Sequence, residues 1–151
     1  MRRFGGVGCA ALLLILLAAI PASPQSTAAR IGQVKTVTGE ATIVRHGARL
    51  PVQPGDAVYH SDIVETGPDG TIGITLADNS VLSNGPDSQL ALQQFQFDVS
   101  TLQGDMLASL RKGTLSIVSG AIAHTSPGAM KIVTPTATLA VRGTTFVVEV
   151  H

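Results

Sequence analysis

Four histidines, His46, His60, His124 and His151, stand apart from one another in turn-like or terminal settings. His60 and Asp62 are two residues apart, which on a strand places both on one face, where imidazole and carboxylate could begin a metal site. Two ligands do not complete such a site, and the pair reads as solvated turn residues. Asp56, Asp62, Asp69, Asp78 and Asp87 also fall at turns, without the Asp-x-Asp-x-Asp spacing that converges oxygens on calcium. Side-chain capping of the turn accounts for each of them. There is no Gly-x-Ser-x-Gly elbow, no His-Glu-x-x-His helix and no phosphate-cradling glycine loop before a helix. Paired-carboxylate sugar hydrolysis needs a cleft with gripping aromatics, and beyond residue 29 only Tyr59, Phe95, Phe97 and Phe146 are aromatic. The sequence thus presents no catalytic, cofactor-binding or metal-ligating residue, and reads as non-enzymatic. Phe95 and Phe97, set among Gln94 and Gln96, are either a partner surface or core packing.

The elements that carry these residues read as strands. Thr71, Gly73 and Thr75 alternate with Ile72, Ile74 and Leu76, the cleanest period of two in the chain. Ala41 to Val44, Ala57 to Tyr59, Ile63-Val64, Val81-Leu82, Leu90 to Leu92, Thr114 to Ser119, Met130 to Thr134, Ala137 to Val141 and Thr144 to Val150 are further short apolar or β-branched runs. Between them lie turn signals: Thr38-Gly39-Glu40, which resembles a hairpin turn, His46-Gly47-Ala48-Arg49, Pro54-Gly55-Asp56, Gly67-Pro68-Asp69-Gly70, Ala77 to Ser80 and Asn84-Gly85-Pro86-Asp87. Such spacing predicts an all-β domain of short antiparallel strands, stacked as a β-roll or sandwich. The Ile72-Ile74-Leu76 stripe should face Leu90-Leu92 and the Phe146-Val148-Val150 strand. One short helix near 102–112, suggested by Leu102, Met106, Leu107 and Leu110 with Gly113 as its cap, competes evenly with a strand-and-turn reading.

The 151 residues carry ten Lys plus Arg and ten Asp plus Glu, without the basic excess that nucleic-acid binding needs. Arg2 and Arg3 precede the apolar run from Cys9 to Ile20, and small residues follow it. This pattern predicts a signal peptide over 1–29, cleaved between 22 and 29, and one domain over 30–151. A run that short is a poor membrane span, so membrane contact would come only through an uncleaved signal. Losing Arg2 and Arg3 leaves eight basic residues against ten acidic, a net charge near −2, and removes Cys9, the sole cysteine. The expected product is a periplasmic or secreted domain without disulfides.

Gly39-Glu-Ala-Thr-Ile-Val44, Pro54-Gly55-Asp56, Asp62-Ile-Val-Glu-Thr66 and Ile74-Thr-Leu-Ala-Asp78-Asn-Ser80 resemble the opening half of a FecR domain. The ending, from Ile132 through Pro135, Ala137, Arg142-Gly143-Thr144 and Phe146 to Val148, is similar to that family's closing motif. The resemblance spans Ile31 to Val150. The motif residues Pro135, Ala137, Arg142, Gly143, Thr144 and Phe146 have a structural reading of their own. Pro135 interrupts strand pairing, Gly143 permits a tight link, and Phe146, Val148 and Val150 share one face. Arg142, between apolar strands, is expected to pin two loops through a forked contact with a carboxylate or carbonyls.

Regulators of the family join a cytoplasmic anti-sigma region, a membrane span and the periplasmic domain. Here only Met1 to Arg3 precede the apolar run. The resemblance therefore implies a periplasmic binding or signal-sensing module that meets an envelope protein, without direct sigma-factor binding. A structural module recognising cell-wall polymer or glycan is the other reading.

Overall fold

A computed structural model describes residues 5, 29–143 and 145–151. The expected signal peptide lies almost wholly outside the described residues, as does Thr144. Twelve strands and one short helix follow in order: β1 (Arg30–Thr38), β2 (Ala41–Arg45), β3 (Ala48–Pro51), β4 (Ala57–Tyr59), β5 (Ile63–Thr66), β6 (Thr71–Leu76), β7 (Val81–Asn84), β8 (Gln89–Asp98), β9 (Gln103–Val118), α1 (Ala121–Thr125), β10 (Met130–Val133), β11 (Thr138–Val141) and β12 (Thr145–Val150). The protein is all-β, as its periodicity predicts. No helix among the described residues is long and apolar enough to cross a membrane.

The strands join in one curled sheet whose main path runs β3-β2-β5-β8-β9-β7-β6-β1-β4. The sixteen-residue strand β9 is its spine. The first part of β9 pairs β8 on one side and, in parallel, β10 on the other; its last part lies between β7 and β12. Of the two readings of 102–112 the strand-and-turn one holds, and that segment lies mostly within β9. Met106, Ala108 and Leu110 point into the core at a period of two, whereas Leu102 is exposed and Leu107 only half-buried. Ladders on both flanks outweigh a local pattern that fits either period. The helix is instead the five-residue α1, after β9.

Buried side chains from every strand except β3 form a single core. Ile72, Ile74 and Leu76 meet Leu90, Leu92, Leu110, Leu115, Ile117 and Ile132 there, with Val148 buried and Phe146 and Val150 packed at its margin. The expected apolar cluster forms, but β12 lies in the same half of the sheet as β6, separated from it by β9 and β7.

Several turn signals prove to be corners between the two halves of the sheet. The signals at 46–47 and 77–80 close hairpins, the first with φ of 50° at His46 and 81° at Gly47, the geometry of a type I′ turn. Thr38-Gly39-Glu40 does not: β1 pairs β4 and β6, while β2 pairs β3 and β5. The chain crosses from one half to the other again at 67–70 and 85–88, and β9 itself crosses at Gly113. These corners are stitched together by Gly67 N–H donating to Glu40 C=O at 2.9 Å, Asp87 N–H to Gly67 C=O at 3.0 Å and Gly85 N–H to Thr114 C=O at 3.0 Å. Ser88 Oγ accepts from Thr114 N–H at 2.9 Å. Gly39, at φ 63°, lies so close to the neighbouring corner that a Cβ would sit 2.4 Å from the Asp69 carbonyl oxygen.

Candidate functional site

The closing motif builds a hairpin and a link. Thr134 N–H donates to Ala137 C=O at 2.8 Å, and the Thr134 hydroxyl accepts from Ala137 N–H at 3.1 Å. That turn holds Pro135 outside the ladder, so β10 and β11 pair cleanly from Val133↔Thr138 to Met130↔Val141. Gly143, at φ 67°, starts the link to β12, and the His124 ring of α1 lies where its Cβ would come within 3.3 Å. Phe146 is half-buried against the core, with Val147 and Glu149 facing outward, as the alternation predicts. Leu139, Ala140, Val141, Arg142, Gly143 and Phe146 line a cavity of about 290 Å³ beside this link.

Arg142 is exposed, and among the described residues it makes no ion pair or side-chain hydrogen bond. The forked contact expected there belongs to another arginine. Arg45, at the end of β2, donates from Nε to Asp62 Oδ1 at 2.8 Å and from Nη2 to Oδ2 at 2.7 Å. It also reaches Ala57 C=O at 3.2 Å, and its guanidinium lies 4.4 Å from the centre of the Tyr59 ring. The hydrogen bond to Asp62 raises the Arg45 pKa above its ordinary value against the opposing effect of burial. Asp62 is not a solvated turn residue. It is fully buried, and it also caps its own turn by accepting Tyr59 N–H at 2.9 Å. His60 is exposed, its ring paired with the Ser61 hydroxyl.

A second buried carboxylate, Asp78, accepts from the Ser80 hydroxyl at 2.7 Å, Ser80 N–H at 3.0 Å and Ile122 N–H at 3.3 Å. This fastens the β6–β7 hairpin to the start of α1. Asp56 caps Gln53 N–H at 2.8 Å, while Asp69 and Asp87 are exposed. Asp98, the last residue of β8, is held below the usual carboxylate range by the Ser100 hydroxyl and by the amides of Ser100 and Thr101. No group of three or more His, Cys, Asp or Glu among the described residues could hold a metal ion.

Phe95 and Phe97 are half-buried and pack against the core. Leu90 and Leu92 point inward at even positions and the two phenylalanines at odd ones, so the alternation must slip once between them. It does so at a bulge, where Leu92 pairs Ala108 but Gln94 pairs Leu107. Asn84, at the end of β7, is buried with neither amide atom hydrogen-bonded among the described residues, a feature its position in a Leu-Ser-Asn-Gly run did not signal.

The closing motif thus sits in a curled β-sheet in which, among the described residues, no group of metal-binding side chains assembles. The model of the family described as "FecR protein" matches residues 62–151, more than half the chain, and the chain belongs to that family. The matched part contains the whole closing motif, while the resemblance read from Ile31 to Ser61 precedes it. Among solved structures, one described as "Cell surface anchoring domain" is 26% identical with a TM-score of 0.39, covering 40% of this chain and 82% of that one. No curated protein matches.

Proposed function

We propose that this FecR-family chain is exported and acts in the cell envelope as a non-catalytic binding or sensing module. It docks a protein partner by adding a strand of that partner to its own sheet. The observation that carries this reading is the free edge within the family motif. Among the described residues β11 pairs only with β10, leaving one side of its backbone open, and Thr138, Leu139 and Ala140 are exposed along it. A sheet edge of this kind offers main-chain hydrogen bonds to an extended segment, and adjacent pockets select its side chains. The cavity beside Arg142 and Phe146 supplies such a pocket.

Photo-crosslinking in the living cell tests this directly. A crosslinker at Leu139 should capture a discrete envelope protein, and Leu139→Arg, which places a charge on the edge, should abolish capture by a probe at Ala140. Capture of cell-wall polymer alone would favour the glycan-binding reading, and equal capture from an exposed site such as Lys35 would remove the edge from consideration.

A further inference from the structure

The stitched corners enclose a second feature, remote from the family motif. A cleft of about 350 Å³ is lined by Glu40, Thr42, Arg49, Glu65, Gln89 and Lys112, with Thr66, Gly67 and Ser88 at its corner side. Its floor is a row across four strands: Thr42 pairs Glu65, Glu65 pairs Gln89, and Gln89 pairs Lys112. In the middle of the row Glu65 is already satisfied, accepting from Arg49 and, at 2.8 Å, from the Gln89 amide. The two outer charges of the cleft are unmet. Glu40, just before β2, and Lys112, on β9, are exposed and make no ion pair or side-chain hydrogen bond with any described residue. Gly67 keeps the Glu40 end open: a Cβ there would stand 3.2 Å from the Glu40 carboxylate oxygen.

The lining selects its ligand by charge. A simple anion would meet Glu40 and Glu65, and a simple cation would meet Arg49 and Lys112. A neutral sugar would find no aromatic face to stack on. What fits is a molecule carrying a cation at one end and an anion at the other. The backbones bearing Glu40 and Lys112 are three strand spacings apart, about 14 Å. Both side chains line the cleft, and the gap has room for the ammonium-to-carboxylate span of two or three extended residues at roughly 3.5 Å each. We propose that the cleft binds the two termini of a short free peptide, Glu40 taking the ammonium and Lys112 the carboxylate. Thr42 and Gln89 line the cleft between them and offer polar side chains to the peptide groups. This site is independent of the β11 edge, so either can fail without the other.

Amide chemical shifts of the ¹⁵N-labelled exported protein, titrated with trialanine, provide the test. Saturable shifts are expected at Gly67, Gln89 and Lys112, and none with N-acetyl-trialanine amide, which lacks both terminal charges. Glu40→Lys and Lys112→Glu should each weaken binding about tenfold, as loss of a charge-assisted contact does. The double variant, with both ends reversed, should regain affinity by holding the peptide the other way round, a recovery that damage to the fold would not produce. Absence of saturable shifts with trialanine, an equal response to the capped peptide, or a response only to a neutral oligosaccharide would each overturn the proposal.

Discussion

Arg45 and Asp62 show how far single residues reach in this fold. The carboxylate of Asp62 is wholly enclosed, and two guanidinium hydrogen bonds from Arg45, 17 residues earlier in the chain, make that tolerable. Replacing Arg45 by Gln leaves a buried carboxylate without its counter-charge, and the expected loss of stability is about 3 kcal/mol. Arg142→Lys should leave the urea midpoint where it is, because the Arg142 side chain is exposed and unpaired among the described residues. A midpoint for Arg45→Gln equal to wild type, or a fall for Arg142→Lys, would reverse the assignment of the pin. The sequence points to the need for a forked arginine contact but not to its place. Both arginines follow β-branched or apolar runs, and only the pairing of β2 with β5 brings Arg45 to the turn that holds Asp62.

At the scale of elements, strand positions were legible because a β-branched run is strand-like wherever it pairs. Less legible was what each turn connects. Gly39 and Gly47 both follow strand-like runs and both adopt positive φ, yet one is a corner between halves of the sheet and the other closes a hairpin. The distinction lies in which strands accept the next segment, information that no window of the sequence contains. The long strand β9 depends on one such corner. Gly113, at φ 88°, bends it where its partners change, and a Cβ there would lie 2.2 Å from Ser88 Oγ and 2.4 Å from Ser88 Cα. The parity of its inward residues changes across the same point, from Met106, Ala108 and Leu110 to Leu115 and Ile117. Gly113→Ala must therefore either twist out of positive φ or push the β7–β8 corner away. A destabilisation of more than about 1 kcal/mol is expected in chemical denaturation. Wild-type stability in this variant would mean that the bend in β9 does not need a glycine.

The molecule as a whole has one core but two half-sheets, and β9 is common to both. β5 and β8 belong to one half and β6 and β7 to the other, and each half reaches β9 through its own ladder. If the spine couples them, neither half can open while the other stays closed, because releasing β9 strips a ladder from each. Hydrogen exchange measures this. Amides of Val64 in β5 and Ile74 in β6, both fully buried, should exchange through an opening of the same free energy, equal to that of global unfolding. Leu110→Ala supplies the stronger arm. Leu110 is fully buried on the β8-paired part of β9, and truncating it is expected to lower stability by about 3 kcal/mol. If the protein is a single cooperative unit, protection at Ile74, across Gly113 in the other half, falls as far as protection at Val64. Loss confined to Val64 would mean that the corner at Gly113 is a hinge between separately stable halves. In that case the cleft at the corners would widen and close with their movement, rather than being held at a fixed width by the stitched backbone.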